Sequence, residues 1–313
     1  MTKPYVSVVI PVYNEQENLE ALFARLTAVM DKSGKPFEIL FTNDGSRDRS
    51  GDILRDFHHR RPNQVRVIDF NGNFGQHMAI MAAFEHARGE VVVTLDADLQ
   101  NPPEEIPKLL AAIEQGHDVV GGYRKNRKDT LFRKYASRLI NGIRARITNI
   151  RMRDQGCMLR AYRKNIIDNI VASRETSTFI PALAYSFAAD PAEVEVEHAA
   201  RAAGESKYRL YDLVRLNFDL LTGFSVVPLQ VFTLIGMGVS ILSILFVVYL
   251  FIRRLIVGPE AEGVFTLFAI LYFLVGIGIM GLGIIGEYIG RIHKEVRRRP
   301  RFVIRAVYEK IDD

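Results

Sequence analysis

The stretch from Val91 to Glu104, VVVTLDADLQNPPE, decides the fold class that the sequence predicts. Its first five residues are apolar or β-branched, which is typical of a buried parallel strand. Asp96 and Asp98 follow at alternate positions, so both carboxylates are expected on the same side of the chain. Two carboxylates at one strand end repel each other unless a cation lies between them, and Gln100 can add a carbonyl oxygen. The stretch therefore predicts a strand that ends in a site for a hard divalent metal.

Strand-like and helix-like segments alternate around this stretch. Strands are expected at residues 5–12, 37–42, 65–70, 91–95 and 118–121, and helices at 14–30, 50–60, 76–87 and 104–114. This alternation with short links is typical of an α/β fold with a doubly wound, mostly parallel sheet. Ligands of such sheets bind at the carboxyl ends of the strands, where the residues from Pro11 to Glu15, Asp44 and the aspartate pair occur.

The overall composition excludes several classes of protein. The chain has 313 residues, a formal net charge of +5 and a mean hydropathy of +0.05, which suggests a charged part joined to an apolar part. The single cysteine, Cys157, rules out an intrachain disulfide and hence a disulfide scaffold. No nucleic-acid-binding module is recognisable, so no nucleic-acid partner is expected.

The apolar residues are concentrated towards the C-terminus. Residues 226–252 and 264–286 contain no Asp, Glu, Lys, Arg or His, and each is long enough to cross a hydrocarbon layer of about 30 Å as a helix. The linker 253–263 has no net charge, whereas residues 291–301 carry six Lys and Arg and one Glu. Because positive residues stay cytoplasmic, we expect a multi-pass protein of the cell inner membrane, with its N-terminal domain and both termini in the cytoplasm.

These features divide the chain into four parts. We expect a cytosolic domain at 1–207, an interfacial helix at 208–225, a transmembrane hairpin at 226–290 and a basic cytoplasmic tail at 291–313. Residues 208–224 are amphipathic and adjoin the first span, which favours a helix in the headgroup layer over a solvated one. A second basic amphipathic segment, 130–150, predicts contact with either a lipid surface or an anionic substrate.

Several motifs together resemble those of a known enzyme family. The segments VVIPVYNE at 8–15, NDGS at 43–46 and LDADLQNPPE at 95–104 resemble inverting nucleotide-sugar glycosyltransferases with the A-type fold. The segments DQGC at 154–157 and RAAGESKY at 201–208, with the terminal hairpin, are similar to those of the polyprenyl-phosphate glycosyltransferases. The resemblance spans essentially the whole chain. It implies a metal-dependent enzyme that transfers a sugar from a nucleotide sugar, UDP-linked, to a polyprenyl phosphate such as undecaprenyl phosphate at the cytoplasmic face of the membrane.

The resemblance also implies roles for individual residues. The nucleotide would be bound by Pro11, Tyr13, Glu15, Asp44 and Asp96, and Mg²⁺ or Mn²⁺ by Asp96, Asp98 and Gln100. Phosphate of the donor or the lipid would be bound by Arg124, Arg133, Ser137, Arg201 and Lys207. The catalytic candidates are Asp154, Arg201 and Asp98, and Asp154 either assists or aligns the nucleophile, or forms a turn before Gly156. Tyr123 departs from the family pattern, because several relatives have a serine before the arginine.

Some alternatives stay open at this stage. The sugar could be formamido-arabinose, glucose or another hexose derivative, and a homo-oligomer is equally compatible with the sequence. A processive polysaccharide synthase is excluded because its Gln-x-x-Arg-Trp motif needs a tryptophan, and the chain has none. A non-catalytic membrane scaffold is disfavoured by the intact set of Asp96, Asp98, Gln100, Asp154 and Arg201.

Overall fold

The computed structural model describes residues 3–124, 152–154, 156–173, 179–198, 227–257, 263–297 and 300–310. The chain divides into two compact units. The first comprises Met1–Leu139, Ile150–Lys207 and Arg299–Asp313, and the second comprises Ile140–Asn149 and Tyr208–Arg298.

A mixed sheet forms the centre of the first unit. Its strands are β1 (Val6–Val12), β2 (Phe37–Asn43), β3 (Val65–Phe70), β4 (Val91–Thr94), β5 (Val119–Arg124), β6 (Arg160–Arg163), β7 (Pro191–Val196) and β8 (Ile304–Tyr308). They lie in the order β7-β5-β6-β4-β1-β2-β3-β8. The helices are α1 (Leu19–Lys32), α2 (Ser50–Arg60), α3 (Gln76–His86), α4 (Ile106–Glu114), α5 (Lys164–Ser173) and α6 (Ile180–Phe187), with a 3₁₀ turn at Pro103–Glu105. The predicted alternation up to β5 is confirmed, although α1 begins at Leu19 rather than at Asn14.

The central strands are buried on both faces, and most of their residues are apolar. Every residue of β2, β3 and β4 is buried, and β1 pairs in parallel with both β2 and β4. Helices α1 and α2 cover the sheet, and Phe23 stacks on Phe57 with ring centroids 4.1 Å apart. Since parallel strands end at the same edge, the residues after β1, β2 and β4 meet there.

The sheet is mixed, because antiparallel strands accompany the parallel strands that the sequence predicted. Four strand pairs are parallel, but β6 runs antiparallel to both β4 and β5, and β8 runs antiparallel to β3. Parallel neighbours need a long crossover connection, whereas antiparallel neighbours can be joined by a short hairpin. Strand-like composition does not reveal this direction, so the sequence predicted the early strands correctly and missed β6 to β8.

The C-terminal strand β8 lies in a segment for which the sequence predicted only a basic tail. Arg66 of β3 is buried and pairs with Glu309, just beyond β8, at 2.7 Å. Phe70 at the end of β3 stacks on Phe302 with ring centroids 5.1 Å apart. The ion pair and the stacked rings hold the C-terminal segment against the sheet.

The described part of the second unit consists of two long helices. These are α7 (Val227–Val257) and α8 (Val264–Val296). Gly281 of α8 faces Phe232 of α7, and a Cβ atom at position 281 would collide with the ring, so the glycine allows the two helices to approach closely. Within the described residues, Ile270–Gly290 is the one segment long and apolar enough to cross a membrane, and Leu229–Val239 is a shorter apolar segment.

Candidate active site

The acidic pair lies directly after β4, as the sequence predicted. The amide of Gln76, the first residue of α3, donates to Oδ1 of Asp96 at 2.7 Å. Burial, followed by the negative charges of Asp98 and Glu15, raises the pKa of Asp96 to about 7. The pair therefore carries an unfavourable concentration of negative charge that a cation would relieve.

The backbone between Asp98 and Gln100, two of the three metal-ligand candidates, is strained at Leu99. Leu99 has a φ angle of 60°, a left-handed conformation that a leucine rarely adopts. The backbone N–H of Gln100 donates to Oδ1 of Asp98 at 3.1 Å. Within the described part of the chain, no group of three or more His, Cys, Asp and Glu is placed to hold a metal ion. The predicted set of Asp96, Asp98 and Gln100 has two carboxylates and one amide, so water and substrate oxygens would complete the coordination.

The loops after β1 and β2 are joined by hydrogen bonds. Asn14, with a φ angle of 55°, accepts from the backbone N–H of Arg47 at 2.8 Å. The backbone N–H of Glu15 donates to Oγ of Ser50 at 3.0 Å. These bonds fix the backbone directly after Tyr13, a residue that is 43% exposed. An exposed aromatic ring on a fixed loop can stack on a flat ligand group.

Asp44 is buried and holds the segment that leads into α3. Its two carboxylate oxygens accept from the backbone N–H groups of Phe74 at 2.7 Å and Gly75 at 2.9 Å. Burial raises the pKa of Asp44, and these two hydrogen bonds oppose the rise. Gly45 follows with a φ angle of 67°, and a Cβ atom there would collide with the backbone of Gly72. Asp44 thus shapes the predicted nucleotide site through the backbone around it.

A cavity of about 250 Å³ opens beside Tyr13 at the carboxyl ends of β1, β2 and β3. Most of its lining side chains are polar. All the residues that line the cavity are Tyr13, Asn43, Gly45, Ser46, Arg47, Asp69, Phe70, Asn71, Gly72, Asn73 and Arg305. The cavity shares Tyr13 with the predicted nucleotide residues, and Gly45 directly follows Asp44, so it is continuous with the site that the sequence predicted.

Arg124 and Asp154 form a bidentate ion pair, called the clamp below. Nε of Arg124, the last residue of β5, donates to Oδ2 of Asp154 at 2.5 Å, and Nη2 donates to Oδ1 at 2.8 Å. Asp154 is 5% exposed, so both of its oxygens are occupied in a nearly solvent-free position. A bidentate pair of this kind fixes the direction of the guanidinium group.

A fully buried arginine, Arg160, binds the backbone of Asp154 and so fixes one half of this clamp. Arg160, the first residue of β6, donates from Nη2 to the carbonyl oxygen of Asp154 at 2.7 Å and from Nε to that of Cys157 at 2.9 Å. Cys157 is buried, and burial raises the pKa of its thiol to about 11. The backbone carbonyls of Asp154 and Cys157 are therefore both held by a side chain that the sequence did not single out.

His198 connects the acidic pair with the clamp. Burial and the positive charge of Arg124 lower the pKa of His198, while Asp154 and Asp98 act in the opposite direction. The backbone of Gln100 likewise raises the pKa of His198. Asp98, Arg124 and Asp154 thus share one electrostatic environment, although they come from separate parts of the chain. The sequence did not point to His198 as a site residue. The one feature that could have indicated it is its position three residues before Arg201.

Of the remaining predicted residues, some lie within the part of the chain that the structure describes and others lie outside it. Pro11 lies within β1, and the side chain of Glu15 accepts from the amide of Asn18 at 2.7 Å. His77, which follows Gln76 on α3, packs edge-on against Phe179, and burial lowers its pKa to about 4. The phosphate-binding candidates Arg133, Ser137, Arg201 and Lys207 lie outside the described residues.

A mixed sheet with an acidic pair after its fourth strand is the arrangement of nucleotide-sugar glycosyltransferases with the A-type fold. The sequence model of Glycosyl transferase family 2 matches residues 7–171, more than half of the chain. The chain belongs to this family and is a glycosyltransferase.

Curated relatives match almost the entire chain. One from Edwardsiella ictaluri (strain 93-146), named undecaprenyl-phosphate 4-deoxy-4-formamido-L-arabinose transferase, is 51% identical over 308 residues, covering 98% of this chain and 95% of the relative. One of the same name from Aeromonas hydrophila is 50% identical and covers 96% of this chain and 93% of the relative. The polyprenyl-phosphate glycosyltransferase resemblance is thereby confirmed.

A solved structure supports the fold at lower similarity. The mannosyl-3-phosphoglycerate synthase from Rubrobacter xylanophilus is 16% identical with a TM-score of 0.50, covering 70% of this chain and 72% of that chain. At this level of identity the likeness concerns the fold alone.

Proposed function

We propose that this glycosyltransferase moves a sugar from a UDP-linked donor to undecaprenyl phosphate at the cytoplasmic face of the inner membrane. The names of the curated relatives favour 4-deoxy-4-formamido-L-arabinose as the sugar. The observation that carries the proposal is the convergence of Asp96 and Asp98 with Arg124 in one site. A metal-binding acidic pair beside a fixed guanidinium group suits a reaction between two anionic substrates.

Asp96, Asp98 and Gln100 are the proposed ligands of Mg²⁺ or Mn²⁺. Burial and the neighbouring charges of Asp98 and Glu15 raise the pKa of Asp96, and a divalent cation at this set of oxygen donors would favour the ionised carboxylates. When bound, such a cation would neutralise charge on the donor diphosphate. Tyr13, Pro11 and Glu15 are proposed to bind the nucleoside, and Asp44 shapes the backbone around it.

The acceptor supplies its own nucleophile in this proposal. A phosphate monoester is largely dianionic at neutral pH, because its second pKa is near 6. Its oxygen attacks the anomeric carbon of the sugar, the bond to the donor diphosphate breaks, and the electron pair leaves with that diphosphate, which inverts the configuration. No strong base is required, so Asp154 serves to orient Arg124 towards phosphate. Arg133, Ser137, Arg201 and Lys207 remain proposed phosphate ligands from the sequence.

The membrane arrangement is likewise a proposal. Residues 1–207 with strand β8 would form the cytosolic catalytic domain, 208–225 an interfacial helix and 226–290 a transmembrane hairpin. The exposed apolar surfaces of α7 and α8 support the hairpin, as does the apolar segment Ile270–Gly290. Both termini would face the cytoplasm, where the water-soluble donor is available. Assembly into a homo-oligomer is compatible with this arrangement.

Transfer to lipid tests the proposal directly. Membranes containing the full chain are incubated with undecaprenyl phosphate, Mg²⁺ or Mn²⁺, and radiolabelled UDP-4-deoxy-4-formamido-L-arabinose or UDP-glucose. We expect label in the lipid fraction from the formamido-arabinose donor, and loss of this label with EDTA or in Asp98→Asn. The matched control Asp52→Asn changes an exposed acid of α2 and keeps full transfer. Labelling from UDP-glucose instead would contradict the sugar, and full transfer in EDTA would contradict the metal site.

A further inference from the structure

One wall of the cavity beside Tyr13 comes from the far end of the chain. Arg305 of β8 lines this cavity, yet it lies beyond the helical hairpin in a segment for which the sequence predicted no binding role. The other lining residues lie at or just beyond the carboxyl ends of β1, β2 and β3, and the loops after β1 and β2 carry the proposed nucleotide residues Tyr13, Glu15 and Asp44. The cavity is therefore assembled from both ends of the chain.

A β-bulge gives Arg305 a special position. In the pairing of β3 with β8, Asp69 lies opposite Ala306 and Phe70 lies opposite Ile304, with a register shift between them. Arg305 is consequently left without a partner on β3. A bulge re-aims the side chain of its extra residue and interrupts pairing, and bulges are frequent next to active sites. This irregularity is what allows an edge-strand side chain to line the cavity.

The charges around the cavity leave its arginines available for a ligand. The buried Asp69 accepts from Nδ2 of Asn43 at 2.6 Å and lies 3.9 Å from Nη1 of Arg55. Among the described residues, neither the guanidinium group of Arg305 nor that of Arg47 takes part in a hydrogen bond or an ion pair. Arginine has only donor groups, so this wall of the cavity favours a ligand that presents acceptor oxygens.

The sheet order indicates which part of the donor reaches this wall. Strands β4 and β8 are separated by β1, β2 and β3, and neighbouring strands are about 4.8 Å apart, so four steps span about 19 Å. A donor whose diphosphate lies at Asp98 after β4 therefore extends its nucleoside towards β3 and β8. The cavity lies along this line, and the exposed ring of Tyr13 lies on the way.

We propose that Arg305 binds the base of the nucleotide donor by donating hydrogen bonds to a carbonyl oxygen of that base. This inference rests on the proposed function and adds a specificity residue to it. A guanidinium group matches bases that present carbonyl acceptors, which uracil does. The donor site is then complete only when β8 is paired with β3, so the C-terminal segment contributes to substrate binding.

Nucleotide binding by the full chain in detergent tests the inference without any need for transfer. Isothermal titration calorimetry measures the Kd of UDP and of UMP for the wild type, Arg305→Met and the control Lys310→Met. Lys310 is also basic and C-terminal, but it donates to Oδ1 of Asn63 at 3.0 Å and does not line the cavity. We expect Arg305→Met to weaken UDP and UMP by the same factor of about ten, equivalent to about 1.4 kcal/mol. The control should stay within about twofold.

Three results would overturn the inference. Unchanged affinity in Arg305→Met would show that Arg305 does not touch the nucleotide. A loss confined to UDP would place Arg305 at the second phosphate rather than at the base. A wild-type chain that binds neither UDP nor UMP would refute the proposed function itself, and the inference with it, so the two failures are distinguishable.

Discussion

The clamp between Arg124 and Asp154 offers a sharp test of how the reacting phosphate is held. Asp154→Asn keeps the size and shape of the side chain but removes its negative charge and one of its two acceptor oxygens. Arg124 then loses one of two short hydrogen bonds, those at 2.5 and 2.8 Å. Because Asp154 is 5% exposed, water cannot readily replace the lost partner.

The size of the effect follows from this geometry. A hydrogen bond to a charged group contributes about 1.5–3 kcal/mol, which corresponds to a fall in kcat of about 10- to 150-fold. The affinity for UDP should change little, because Asp154 acts on the arginine and not on the nucleoside. Arg124→Gln should lower kcat at least as strongly. The double variant should be no worse than the poorer single variant, since two residues of one pair are not additive.

Steady-state transfer of radiolabelled sugar to undecaprenyl phosphate measures kcat for each variant. A series from about pH 5.5 to about pH 9 gives the pH profile of kcat. The control Asp56→Asn alters an exposed acid that pairs with Arg60 and should leave kcat unchanged. If Asp154 orients Arg124, the pH profile of Asp154→Asn keeps its shape. Loss of the acid limb of that profile, or fully additive losses in the double variant, would refute the orienting role and make Asp154 a general base.

Three further predictions concern stability and topology. Arg66→Met leaves the buried Glu38 without the arginine that lies 3.0 Å away. The free energy of unfolding should fall by about 3–5 kcal/mol, and the thermal midpoint should fall on the order of 10 °C. The double variant Arg66→Met/Glu38→Gln should recover more than half of the lost stability, and no recovery would contradict the ion pair. His77 has a pKa of about 4 in the folded chain against about 6.5 unfolded, so the unfolded chain binds the extra proton and stability falls as pH drops from about 6.5 to 4, by at most about 1.4 kcal/mol per pH unit. In urea titrations His77→Gln should show a flatter pH dependence, and an equal slope would contradict the assignment. A cysteine in place of Glu262 should react with an impermeant thiol reagent from the periplasm while one in place of Asp313 does not, and the reverse pattern would invert the proposed topology.

Local patterns account for what the sequence predicted well. Apolar runs of four to seven residues that alternate with amphipathic segments are sufficient to identify β1 to β5 and α1 to α4, because burial of each element depends on its own residues. The position of Asp96 and Asp98 follows from the same pattern, since a strand end is a local feature. Arg124 and Asp154 were both singled out by resemblance, but their mutual bond was not predicted.

Only the tertiary structure decided which distant residues share a site. The pairing of β8 with β3 joins residues more than 200 positions apart, Arg66 and Glu309 among them, and it depends on burial and charge pairing that no local window contains. The same holds for Arg160 beneath the clamp and His198 between the clamp and the acidic pair. The sequence by itself determined the class of fold, the acidic pair and the apolar C-terminal segments. The folded chain decided that Arg305 lines the cavity, because a bulge aims a side chain only after two strands have paired.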